Sequence, residues 1–148
     1  MNGDKIWEIR AFIYQHFAET TRAPQVDEVA SHFSLSHEEA VSAYRELHQR
    51  HALYLKPDTH EIWMANPFSS VATPFKVHAN DRTYFANCAW DSLGIPAALH
   101  TDAEIEAACA QSGEPIRLYV TNRKVQGSEA IVHFLVPFRD WYNDLTFT

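Results

Sequence analysis

The sequence predicts an α+β protein. Apolar residues recur at helical spacing through the first fifty positions and at strand spacing through the second half, and the change of character falls near Asn66. With 148 residues, 46% of them hydrophobic, the chain is long enough to bury a substantial core. Ile6, Ile9, Ile13 and Phe17, widened by Phe12, mark a first amphipathic helix. Thr20 to Pro24 interrupts it, and Pro24 suits the first turn of a second helix with Val26, Val29, Ala30 and Phe33 inward. Ser36 and Glu39 form a capping-box pattern that opens a third helix, with Val41, Tyr44 and Leu47 on its inner face.

Two short apolar segments follow, Ala52 to Leu55 and Glu61 to Met64, around the turn-forming stretch Lys56-Pro57-Asp58-Thr59-His60. Three helices and a hairpin give a winged helix-turn-helix-like unit over residues 1–65. The third helix of such a unit enters the major groove when the module reads DNA. Here it carries Glu38, Glu39 and Glu46 beside Arg45 and Arg50, and the chain has a net charge of -7, so nucleic acid is a poor partner. A structural or dimerising module is the favoured reading, and a homodimer is one arrangement it allows.

Residues 66–74 hold two prolines among small polar residues and read as a linker, because proline neither continues a helix nor sits in a central strand. A small mixed β-sheet unit is expected over 75–148. Its strands are Phe75 to His78, Thr83 to Ala86, Ile116 to Val120 and the nearly continuous apolar run Ala130 to Val136. Ala103 to Cys109 has a helical composition but alternates at period two, and we read it as a strand that Gln111 to Pro115 turns back into the next.

No run approaches the roughly 18 apolar residues of a membrane helix, and no secretory signal opens the chain, so a cytoplasmic protein is expected. Two cysteines, Cys88 and Cys109, are too few for a disulfide scaffold and should be free thiols. None of the nine histidines has a strong metal spacing, and His48 and His51 read as solvated. Gly94 lacks a glycine-rich context, which leaves nucleotide binding without support. Trp7, Trp63 and Trp141 read as anchors of the cores or of the contact between the halves, whereas Trp90 is equally suited to wall an apolar pocket.

The chemistry concentrates in Asn87-Cys88-Ala89-Trp90-Asp91-Ser92-Leu93-Gly94-Ile95-Pro96, which follows a strand and reads as a short helix capped by Asn87 and stopped by glycine and proline. Cys88 in the first turn would have its thiol pKa lowered by the helix dipole, and Asp91 would share its face. A thiol and a carboxyl together can bind a soft electrophile and move a proton. Taken alone, a Cys-x-x-Asp spacing is more often the mark of a packed cysteine.

Thr73-Pro74-Phe75, then Tyr84-Phe85-Ala86-Asn87-Cys88-Ala89-Trp90-Asp91-Ser92-Leu93-Gly94-Ile95-Pro96, then Cys109-Ala110-Gln111-Ser112-Gly113-Glu114-Pro115-Ile116 resemble the organomercurial (alkylmercury) lyase family in order and spacing. The resemblance implies a mercury-resistance enzyme that splits a carbon–mercury bond by protonolysis, giving a hydrocarbon and Hg(II). It implies no organic cofactor, an organomercurial substrate, and low-molecular-weight thiols to release bound Hg(II). Cys88 matches the catalytic cysteine that takes the organomercury cation, and Asp91 the carboxylate that relays the proton, with both as metal ligands and Trp90 as a pocket wall.

The family's second catalytic cysteine lies beyond a segment like Arg139 to Phe147, and no residue here matches it, as in a form lacking the family's C-terminal end. Cys109 resembles a structural cysteine and is the one candidate for a substitute thiol. A thiophilic-metal binder without turnover and a winged-helix regulator remain as alternatives.

Overall fold

The computed structural model describes residues 3–145. Three helices, α1 (Gly3–Thr20), α2 (Val26–Phe33) and α3 (His37–Gln49), precede the sheet. Ile6, Ile9, Ile13 and Phe17 of α1 are fully buried, as their spacing predicts. The N-cap of α2 is Gln25, whose side chain and that of Glu28 form a capping box, so Pro24 lies one position before the cap and not in the first turn. The Ser36–Glu39 capping box of α3 is present.

Eight strands form one sheet: β1 (Tyr54–Leu55), β2 (Ile62–Ala65), β3 (Phe68–Ser69), β4 (Lys76–Ala79), β5 (Arg82–Ala86), β6 (Ala103–Ala108), β7 (Pro115–Thr121) and β8 (Lys124–Gln126). Their order is β1-β2-β3-β5-β4-β6-β7-β8, with every pairing antiparallel, where a mixed sheet was expected. Short connections explain the pairs that follow directly in sequence, because parallel neighbours need a long crossover, whereas β5 and β6, joined through residues 87–102, lie on either side of β4. The expected linker 66–74 contains β3, which pairs with both β2 and β5 and so carries the sheet across from the front half to the back.

The central strands bury one face. Tyr84, Val77 and Ile105 lie side by side across β5, β4 and β6 and face the core. The opposite face carries Glu104 and Glu106, which pair with Arg117 of β7 at 3.0 and 3.2 Å. Period-two alternation therefore outweighs helical composition in 103–108, because two glutamates on alternate positions reach solvent only if the chain is extended.

The same core includes side chains from the helices and from the sheet. Phe17 of α1 stacks on Phe68 of β3 at 5.4 Å between ring centroids, Tyr84 donates to the Ala18 carbonyl at 2.6 Å, and Tyr14 donates to the Asn66 carbonyl at 3.0 Å. These contacts fix α1 against the strands that carry the site.

The run Ala130 to Val136 forms no strand, contrary to expectation. Gly127 to Glu129 lead the chain away from β8, and the side chains of the run divide, with Ile131 89% exposed and Phe134 turned toward Trp90. A continuous apolar run signals burial on two faces only when strands flank it on both sides. A 3-10 helix, Phe138–Asn143, closes the described chain. The end of the Arg139 to Phe147 segment, Thr146 and Phe147, lies outside the described residues.

Candidate active site

Strand β5 ends at Ala86, whose carbonyl accepts a hydrogen bond from Thr73 Oγ1 at 2.6 Å, and the chain passes through Asn87 into helix α4 (Ala89–Leu99). The N-cap is Cys88, in extended backbone conformation, and not Asn87. Gly94 and Pro96 lie inside the helix, which runs on to Leu99 because Ile95 and Pro96 are buried and α4 packs on β4, β5 and β6. Gly94 also has a packing reason, since a Cβ there would stand 3.1 Å from Pro67 Cβ.

Cys88 and Asp91 line one cavity of about 250 Å³. Its walls include Trp63 and Met64 from β2, Trp90 from α4, and Phe134 and Trp141 from the C-terminal segment. Of the tryptophans read as anchors, Trp63 and Trp141 are therefore cavity walls, and Trp7 is 49% exposed with the Arg50 guanidinium over its ring. Trp90, 56% exposed, sits at the mouth, where Phe134 meets it edge-on at 6.1 Å and stacks on Trp141 at 5.3 Å. The Trp141 indole N–H donates to the Val136 carbonyl at 3.0 Å, which folds the segment back on itself over the cavity.

Asp91 is only 7% exposed. Its Oδ2 accepts hydrogen bonds from the side-chain amides of Asn87 at 3.0 Å and Asn66 at 3.1 Å. Burial raises the carboxyl's pKa above its ordinary value, and the two amides only partly offset this. The half-buried Cys88 thiol is also raised. Burial is the largest cause, the nearby Asp91 charge adds to it, and the backbone amides of Asp91 and Trp90 oppose it. The expectation of a lowered thiol pKa thus fails, because desolvation outweighs the helix-end amides. The pair is a neutral thiol beside a carboxyl biased toward its protonated form.

Cys109 does not line the cavity. It stands in the β6–β7 turn, where its N–H donates to the Glu114 carbonyl at 2.8 Å and the Ser112 hydroxyl lowers its thiol pKa. Strand β4 separates β5, which leads to Cys88, from β6, which leads to Cys109, an offset of two strand spacings or about 10 Å. Among the described residues no group of three or more His, Cys, Asp or Glu could hold a metal ion. His48 and His51 are exposed, as read, with His51 stacked on Tyr142 at 4.3 Å.

Sequence reasoning missed Asn66 and assigned Asn87 to a cap. Asn66 lies 25 positions from Asp91, and only the β3–β5 pairing brings them together. Asn87, four positions before Asp91, was within reach of a local reading.

The family model for alkylmercury lyase matches residues 68–148, more than half of the chain. The chain belongs to the alkylmercury lyase family. Alkylmercury lyases of Bacillus cereus and Clostridium butyricum are each 34% identical to it over 70 residues, which is 45% of this chain and 32% of each relative. The chain thus matches about a third of the length of these curated relatives. The crystal structure of the mercury-bound form of MerB2 superposes with a TM-score of 0.68 at 26% identity, covering 85% of this chain and 60% of that one. This likeness extends the relationship into the helical front half, which the family model does not reach. No helix among the described residues is long and apolar enough to cross a membrane.

Proposed function

We propose that this chain acts on organomercurials in the cytoplasm, cleaving the carbon–mercury bond by protonolysis at Cys88 and Asp91, without an organic cofactor. The observation that carries this reading is a thiol and a carboxyl of raised pKa sharing an apolar-walled cavity. Mercury is soft and prefers sulfur, so Cys88 exchanges onto an incoming alkyl- or arylmercury thiolate and frees the small thiol. Asp91 then gives its proton to the carbon, and the carbon–mercury bonding pair becomes the new carbon–hydrogen bond. A small thiol supplies the second sulfur to mercury and returns a proton to Asp91, leaving Hg(II) on two sulfurs. Trp63, Trp90 and Phe134 present an apolar surface to the organic group.

A second reading is a thiophilic-metal trap without turnover, favoured by Cys88 being the one thiol among the described residues that line the cavity. A DNA-reading role for the three helices and β1–β2, a winged-helix-like unit in this reading, is not favoured. Glu38 and Glu39 are exposed on α3, and the Arg50 guanidinium is engaged by Glu46 at 2.7 Å.

The test is benzene release from phenylmercury with excess small thiol, run beside a Cys88→Ser variant and a thiol-only blank. Release above the blank that the variant loses supports a lyase. Retention of one phenylmercury through Cys88 with no benzene supports the trap, and identical behaviour of both proteins overturns the assignment of Cys88.

A further inference from the structure

Both side-chain amides that reach Asp91 donate to the same oxygen. Asn87 Nδ2 lies 3.0 Å and Asn66 Nδ2 3.1 Å from Oδ2. The other oxygen, Oδ1, has no hydrogen bond among the described residues, yet it is not among the buried polar atoms that lack a partner there, which are Arg10 Nε, His16 Nε2 and Asn87 Oδ1. Oδ1 is therefore accessible, on a residue that lines the same cavity as Cys88. An oxygen that already accepts two N–H groups is the poorer place for a proton, because a hydroxyl there would oppose the donors.

Both asparagines are anchored, Asn87 through its side chain and Asn66 through its main-chain carbonyl. Asn87 donates also to the Phe68 carbonyl at 3.2 Å, which holds its N–H groups toward β3 and Asp91 and leaves its own Oδ1 buried without a partner. A buried acceptor left unsatisfied costs roughly 1–3 kcal/mol, and in native structures such a cost collects at functional sites. Asn66 is held by the Tyr14 hydroxyl on its carbonyl at 3.0 Å. The clamp thus joins α1, the β2–β3 turn and the start of α4.

We propose that Asn66 and Asn87 are positioning residues that confine the Asp91 proton to Oδ1, the accessible oxygen, from which it passes to the carbon. The inference rests on the lyase reading for its purpose but on the carboxyl geometry for its content. In the step it serves, Oδ1 loses its proton to the carbon as the carbon–mercury bond breaks. The resulting carboxylate is stabilised on Oδ2 by the two amides, and an added thiol restores the proton as its sulfur joins the metal. The amides bind the charged form more strongly than the neutral one, so they also make the acid readier to give its proton up.

The experiment is a pH titration of the Asp91 carboxyl by NMR of carboxyl-labelled aspartate in the full chain, with Asp91→Asn to assign the signal, compared with Asn66→Leu, Asn87→Leu and the double variant. Removing a donor should move the midpoint up by about one pH unit per amide, the size of a hydrogen bond to a charged group. A merely structural role gives the opposite sign, because a loosened site admits water and lowers a midpoint that burial has raised. Benzene release with excess thiol should fall roughly ten- to a hundredfold in each variant, the cost of a misplaced reacting group. One-equivalent capture of phenylmercury by Cys88 should be retained. An unchanged or lowered midpoint in the variants, or, where the parent releases benzene, release within twofold of it, overturns the clamp. A midpoint raised in the variants of a parent chain that releases no benzene upholds the clamp and overturns the lyase reading instead.

Discussion

Replacing Phe68 by alanine tests whether the site depends on the joint between the helices and the sheet. Phe68 is 3% exposed, stacks on Phe17 at 5.4 Å, and has Tyr84 and Tyr14 rings at 5.7 and 6.3 Å. A buried Phe→Ala change typically costs 3–5 kcal/mol through lost transfer energy and the cavity left behind. The aromatic partners place this position toward the upper end, so we expect a loss of about 4 kcal/mol. A single domain commonly holds 5–15 kcal/mol in total, so the variant should sit close to the folding threshold. Urea unfolding followed by tryptophan fluorescence measures this directly, with the slope checked for constancy. Phe68 also supplies the main-chain carbonyl that holds Asn87, so benzene release should fall in the same variant, with phenylmercury capture by Cys88 retained, at a urea concentration well below its midpoint. A cost under about 1 kcal/mol would mean that the two halves fold on separate cores, and would refute the account of β3 as the joint.

Asp91→Asn should abolish benzene release and change how stability varies with pH. The folded-state pKa of Asp91 lies above its ordinary 3.8, so the native state favours the protonated carboxyl. Its ionisation then costs stability as pH rises from 3.8 through the folded-state value, and the variant, which does not titrate, escapes that cost. Unfolding at pH 4 and pH 7 should show the variant gaining on the parent at the higher pH; an equal difference at both would contradict the raised pKa. Phe134→Ala should leave global stability within about 1 kcal/mol, because the ring is 40% exposed, but should weaken selection of phenylmercury over methylmercury severalfold. Competition between the two substrates reads this, and unaltered selectivity would remove Phe134 from the pocket wall.

The parts of the fold that could be read from the sequence are those where local pattern and tertiary burial agree. Ile6, Ile9, Ile13 and Phe17 repeat with the helix, and Ser36 with Glu39 closes a capping box within four residues. Glu104 and Glu106 alternate with Ala103 and Ile105 along β6, and here alternation outweighed helical composition. The errors fall where a distant partner decides. Pro96 looked like a stop, but packing of α4 on the sheet outweighs the hydrogen bond it removes. Phe68 and Ser69 looked like linker, and only their pairing partners make them a strand. The pairing of Cys88 with Asp91 was local and legible, whereas the contribution of Asn66 needed a contact across 25 residues.

The electrostatics of the site bear on the order of its chemistry. An apolar cavity disfavours any isolated charge, and it holds Cys88 and Asp91 both shifted toward their neutral, protonated forms. Such a site cannot depend on a standing thiolate, which the helix-end amides alone would have provided. In the reaction we propose, binding is by exchange: the thiol gives up its proton as the mercury–sulfur bond forms, and the metal takes the place of the proton on sulfur. In the proposed reaction Asp91, whose pKa burial raises, is the acid for the carbon. A lowered thiol pKa would have reversed the balance, since a thiolate beside Asp91 would hold the carboxyl proton more tightly and slow its transfer. Burial therefore contributes to the reaction that we propose by biasing both Cys88 and Asp91 toward their protonated forms, a bias better suited to protonolysis than an activated thiolate would be.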